Sequence, residues 1–250
     1  MKYYTSEELR GQNQAEARNI LEKCSGPFVR YNFGINIFKH WFNKEFDSDP
    51  DVKTLDLGSA SGAFEAQLKD IGYSNVYGLD IDDYRLPKNK EFFKDFKTAD
   101  LGWDKIPWPD NHFQIVTGWC ILPHLENPFH CVREIHRILA PGGIFIFSVP
   151  HVTAKHSIDY LSQKKDFGSY RATNNHLVIF TPAVINKAIL KYFDLLNTEF
   201  AVRTAKIFKR GLQGKLRKIL YFGAEKISPK LKRKIDERWA YDVIYIVRKK

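Results

Sequence analysis

The chain reads as an α/β domain built on a mostly parallel sheet. Short apolar runs alternate with amphipathic helical segments between residues 52 and 149, and turn residues separate them. Strands joined in this way need crossover connections, which are right-handed. The length of 250 residues and a hydrophobic share of 44% suffice for a sizeable core.

The elements follow in order. Residues 6–23 begin with Ser6 and place Glu7 and Glu8 in a first turn, which predicts a capped helix. A second, aromatic-rich helix is expected over FGINIFKHWFNKEF, residues 33–46. DSDPD then breaks the pattern, so residues 1–48 are expected to form an N-terminal helical cover over the active site of a domain spanning 49–250. VKTLDL (52–57) suits a buried parallel strand, AFEAQLKDI (63–71) a helix and NVYGLDI (75–81) a second strand. NHFQIVTGWC (111–120) is another strand, introduced by the turn-rich PWPDN. PFHCVREIHRILA (128–140) sets Phe129, Val132, Ile135, Ile138 and Leu139 on one helical face. Pro141-Gly142-Gly143 is expected to stop that helix before the apolar strand IFIFSV (144–149). A helix over 181–193, a strand over 194–203 and a last strand over 240–248 complete the set.

Composition narrows the setting. No stretch approaches the roughly 18 apolar residues of a membrane span, and the first residues lack the apolar core of a signal peptide. Cys24, Cys120 and Cys131 are too few for a disulfide framework, so a reducing cytoplasm is the expected setting. The net charge of +10 is localised: residues 201–250 hold 16 Lys and Arg against 4 Asp and Glu, whereas the first 200 hold 23 against 25. Most of this excess falls in a basic insertion at about 205–238, where Lys and Arg interleave with Leu, Ile, Phe and Tyr. Three roles for it stay open, in this order: a solvated helix pair, contact with an anionic membrane or substrate, and RNA binding. The second would place the protein peripherally at the inner membrane surface.

The chemistry concentrates in TLDLGSASGAFEAQL, residues 54–68. Small residues at a strand-to-helix turn permit left-handed backbone and let a ligand approach the helix N-terminus. A dinucleotide site would want G-x-G-x-x-G; here Gly58, Ala60 and Gly62 follow Asp56. A carboxylate beside a diphosphate is repelled, so Asp56 favours a ligand with a cationic centre. Asp80 closes the second strand, where a carboxylate accepts ribose hydroxyls. Asp100 falls where a third strand ends and can accept from an adenine amino group. Three acids at successive strand ends describe a pocket for a positively charged adenosine derivative.

LDLGSASGAF, VYGLDIDD, ADLGWDKIPWPDNHFQIVTGWCILPHLENP and REIHRILAPGGIFIFSVP together resemble, in order and spacing, class I S-adenosylmethionine-dependent methyltransferases over about residues 50–150. The resemblance implies a Rossmann-like seven-stranded sheet, mostly parallel, with helices on both faces and the last strand antiparallel. It implies S-adenosyl-L-methionine as cofactor, held by Gly58, Ser59, Gly62, Asp80, Ile81, Asp100, Leu101 and Trp119, with Asp56 and Ala60 in the same motif. Ala60 stands where the family commonly has glycine, and Gln114 where it has aspartate.

Methyl transfer from a sulfonium depends mainly on positioning, and a base is needed only for an acceptor that must lose a proton. His124, just past the fourth strand, is the first candidate base and His151, after the fifth, the second, with His176 a third. No metal ligand set is expected, and Cys120 in GWCIL reads as a buried cysteine. Signatures of amino-methylating, pyrimidine-methylating, ribose-methylating and arginine-methylating enzymes are missing. NNHLVIFTPAVINKAILKYFDL is similar to a His-x-x-x-Phe-Thr segment of members associated with bacterial polysaccharide biosynthesis. The expected activity is therefore O-methylation of a small molecule, sugar or lipid-linked glycan. An RNA methyltransferase using the basic insertion, and a non-catalytic cofactor-binding module, are the alternatives.

Overall fold

A computed structural model describes residues 29–171, 175–202, 221–224 and 227–250. The helix expected over 6–23 lies outside the described residues, as does much of the basic insertion. The described helices are α1 (Val29–Phe46), α2 (Ala63–Asp70), α3 (Pro128–Ile138), α4 (Lys155–Lys164), α5 (Pro182–Ala188) and α6 (Pro229–Trp239). The strands are β1 (Thr54–Leu57), β2 (Val76–Asp80), β3 (Asp95–Thr98), β4 (Phe113–Trp119), β5 (Leu139–Pro150), β6 (Phe193–Ala201) and β7 (Asp242–Lys249).

They form one seven-stranded sheet in the order β3-β2-β1-β4-β5-β7-β6. Strands β1 to β5 pair in parallel, and β7 runs antiparallel to both β5 and β6. The order reverses between β1 and β4, which opens a crevice beyond their carboxyl ends. α6 and the basic segment fall between β6 and β7, where the sequence put the insertion.

Alternation along β1 explains the layers. Leu55 and Leu57 point to one face, where Val132, Ile135 and Ile138 of α3 and Ile185 of α5 complete the core. The opposite face is covered by α1 and α2. Phe38 stacks on Phe42, meets Phe64 edge-on and packs against Tyr73, and Ile37 and Trp41 join the same cluster. Gly34 is the close-approach point, because a Cβ there would come within 2.8 Å of the Trp119 indole. α1 therefore docks against the sheet and α2, reaching Trp119 at the end of β4.

Three of the boundaries that differ from expectation have a physical reason in the sheet. α3 ends at Ile138, and β5 starts at Leu139 because Leu139 already pairs with Phe113; Pro141-Gly142-Gly143 thus lies inside a strand. α5 stops at Ala188, since the chain must turn before Phe193 pairs with Lys249. The third strand ends at Thr98, two residues before Asp100. Gln114 serves the sheet: its side-chain oxygen accepts the Lys53 backbone N–H at 2.9 Å.

Candidate active site

The β1–α2 turn is stapled to the end of β2. The backbone N–H groups of Gly58 and Ser59 both donate to the Leu79 carbonyl, at 2.8 and 3.3 Å. Gly58 and Gly62 have φ of 69° and 74°, and Ala60 takes the left-handed region as well, at 48°. Alanine thus adopts a conformation glycine holds more cheaply, at a cost of about 1–2 kcal/mol. A Cβ on Gly62 would also press on Asn89 and Phe93 at 3.0 Å.

Asp80 is tied to the same turn. One carboxylate oxygen accepts the Ala60 N–H at 2.8 Å and the other the Ile81 N–H at 2.7 Å. Burial pushes its carboxyl up to about 6, opposed by these two donors. A carboxylate offers about four lone-pair sites, so acceptor capacity is left over toward the cavity it lines. That cavity is walled by Asp80, Ile81, Asp100, Leu101 and His124, with Asn175 closing it from the loop after α4. Asp100 is itself oriented, accepting the Gly102 N–H at 2.9 Å.

Other expected site residues sit elsewhere. Asp56 lies beneath the turn, 2% exposed, on the α1/α2 face, where its carboxylate accepts the Thr117 hydroxyl. Its neighbour there is Glu65 of α2, fully buried, whose carboxyl group faces that of Asp56. Burial pushes Asp56 up to about 7, and burial with the facing Asp56 charge raises Glu65 well above the usual carboxylate range. Sequence reading missed Glu65; its place beside Phe64 in the first turn of an amphipathic helix was the available signal. Trp119 is a core residue rather than a cavity wall, edge-on to Phe64 at 5.1 Å between centroids.

The two candidate bases do not share a site. His124 lines the Asp80–Asp100 cavity, and its Nδ1 is buried without a hydrogen-bond partner. His151 lines a second, larger cavity with Phe180, Phe200, Arg233, Glu237 and Tyr245. Burial holds the His151 imidazole below its ordinary value. His176 stands against His124, ring centroids 4.4 Å apart, because the Leu177 and Val178 N–H groups both donate to the Pro123 carbonyl.

The residues present fit S-adenosylmethionine. Ser59 Oγ in the glycine turn is buried and has no protein partner, an acceptor-donor group available to a ligand. Asp80 and Asp100 are fixed by backbone donors with capacity to spare. Sheet order, glycine turn and acid pair are those of the class I S-adenosylmethionine-dependent methyltransferase fold. Residues 55–147 match the family described as a methyltransferase domain.

Its relatives extend that match. Cycloartenol-C-24-methyltransferase 1 of Oryza sativa subsp. japonica is 26% identical over 168 residues, 57% of this chain and 48% of that protein. The ubiquinone/menaquinone biosynthesis C-methyltransferase UbiE of Shewanella sediminis is 28% identical over 163 residues, 56% and 65% of the two chains. This chain spans about half the length of the curated relatives it matches. Among solved structures, a SAM-dependent methyltransferase from Archaeoglobus fulgidus superposes with a TM-score of 0.53 at 18% identity, covering 86% of this chain and 94% of that one. The [4+2]-cyclase SpnF does so at 0.55 and 17%, covering 85% and 80%. The fold is thus common to a methyltransferase and a cyclase, and activity has to be argued from the site.

Proposed function

We propose that this protein is an S-adenosylmethionine-dependent methyltransferase acting on a hydroxyl of a small molecule, sugar or lipid-linked glycan. The observation that carries the reading is His124: an imidazole with a partnerless buried nitrogen in the cavity that also holds Asp80 and Asp100. When bound, the cofactor supplies an electrophilic methyl group. Asp80 and Asp100 would hold its adenosine, and the Gly58–Gly62 turn would give the backbone room to approach it. His124 would activate an acceptor hydroxyl, which is a poor nucleophile until its proton leaves.

Both curated relatives are named as C-methyltransferases, so transfer to carbon is the competing reading. A screen of hydroxylated sugars, polyprenyl-linked glycans and quinol precursors with methyl-labelled cofactor separates the two. An O-methyl product whose formation drops about 10²–10⁴-fold in His124→Ala supports the proposal. A C-methyl product made equally well by wild type and that variant would refute it.

A further inference from the structure

We propose that Cys120, His124 and His176 form a binding site for a transition-metal ion of the zinc type, beside the cofactor cavity. One ligand atom from each residue lies within 4.8 Å of the other two. The Cys120 sulfur and His176 Nε2 are 3.6 Å apart. Zinc bonds of about 2.3 Å to sulfur and 2.0–2.1 Å to nitrogen give a tetrahedral edge of roughly 3.3–3.6 Å. That pair is already at metal-binding separation, and the His124 ligand atom lies no more than 4.8 Å from either.

Four further observations point the same way. Cys120 is a buried thiol with φ of 64°, a left-handed conformation a non-glycine residue rarely holds without a reason. This bend follows directly on β4, in the loop that also carries His124. His124 Nδ1 is buried with no hydrogen-bond partner. The far nitrogen of His176, Nδ1, is within hydrogen-bond reach of the Ser169 carbonyl. Donation to a backbone carbonyl from the other ring nitrogen fixes the tautomer in which Nε2, beside the Cys120 sulfur, carries the lone pair. The clamp of Leu177 and Val178 on Pro123 holds the two imidazoles together. A thiolate with two imidazoles suits zinc, and three protein ligands are the number that leaves a fourth position open.

The proposal departs from the expectation that no metal is involved. His124 belongs to both the cluster and the cavity wall, so the ion would lie beside that cavity. Calling it the cofactor cavity rests on the methyltransferase reading; metal binding itself does not. The base role proposed for His124 belongs to the metal-free protein, since a bound ion would occupy the imidazole lone pair.

The test uses untagged full-length protein, stripped with chelator and reloaded with Zn²⁺ or Co²⁺ alone. Wild type should retain about one zinc per chain through dialysis, and Co²⁺ should give a thiolate charge-transfer band with strong visible absorption. Cys120→Ser should abolish the charge-transfer band, and His176→Gln should weaken zinc affinity about 10²-fold or more. Cys131→Ala, at a second buried thiol, should leave the band intact. Wild-type protein that folds yet shows no cobalt band and keeps no zinc overturns the proposal, irrespective of how the variants fold. A band that survives in folded Cys120→Ser also overturns it. Cofactor binding, measured by calorimetry on the stripped protein, reports separately on the methyltransferase reading.

Discussion

The Asp80 carboxylate, at the end of β2, accepts the backbone N–H of Ala60 in the β1–α2 turn at 2.8 Å. Two motifs 20 residues apart thus share one hydrogen bond, and the acid proposed for the ribose is held by the turn proposed for the adenosine. Asp80→Ala should weaken S-adenosylmethionine binding by about 1–3 kcal/mol, the scale of a charge-assisted hydrogen bond. Unchanged affinity in calorimetry would remove Asp80 from the site.

The left-handed turn separates two substitutions that look alike. Gly62→Ala places a Cβ at φ 74° and 3.0 Å from Asn89 and Phe93, and should cost about 1–2 kcal/mol or more. Ala60→Gly removes a strained residue at φ 48°, so relief should offset the usual glycine cost of about 0.5–1 kcal/mol. Urea unfolding checks both. Equal destabilisation by the two changes would contradict the turn geometry.

The buried acids set a pH dependence. Asp56 is raised to about 7 and Asp80 to about 6, with Glu65 raised too, against unfolded values near 4. Across about pH 4 to 7 the folded protein therefore holds protons that the unfolded chain has released. Stability from these groups falls as pH rises through that window, by up to about 1.4 kcal/mol per pH unit for each proton. Glu65→Gln removes one of them, so this variant should exceed wild type in stability at pH 8, with the gap closing toward pH 5. A gap that widens on acidification would reverse the assignment.

In the basic segment, charge and packing roles divide by residue. Lys232 pairs with Asp236, donates to the Tyr221 hydroxyl at 2.9 Å and sits over that ring, so Lys232→Gln should cost about 0.5–1 kcal/mol. Lys230 and Lys234 are exposed, and their change to Gln should leave stability within about 0.5 kcal/mol. If the segment meets an anionic membrane, that double change should also reduce co-sedimentation with vesicles containing anionic lipid. Wild type that ignores such vesicles and binds RNA with a steep salt slope would count against the membrane role.

Much of the architecture was legible because β1, β2, β4 and β5 are short apolar runs between glycine and proline signals. Asp80 was legible for the same reason: a polar residue closing an apolar run stands out, whereas Asp100 lies two residues past the end of the polar strand β3. What stayed hidden depends on which face a residue takes. Asp56 follows the pleat of β1 toward α2, away from the cavity, and meets Glu65 only through tertiary packing. Trp119 is drawn into the core by the space at Gly34, a contact 85 positions apart. The Cys120–His176 approach across 56 residues depends on the clamp at Pro123, which no local spacing encodes. No described helix is long and apolar enough to cross a membrane, in line with the sequence.

Titration of the purified full-length protein with S-adenosylmethionine in a calorimeter tests the central claim most directly. The account predicts saturable binding at about one molecule per chain, weakened in Asp80→Ala by about 1–3 kcal/mol while that variant stays folded. A folded wild-type protein that gives no binding signal for the cofactor or for its demethylated product would contradict it.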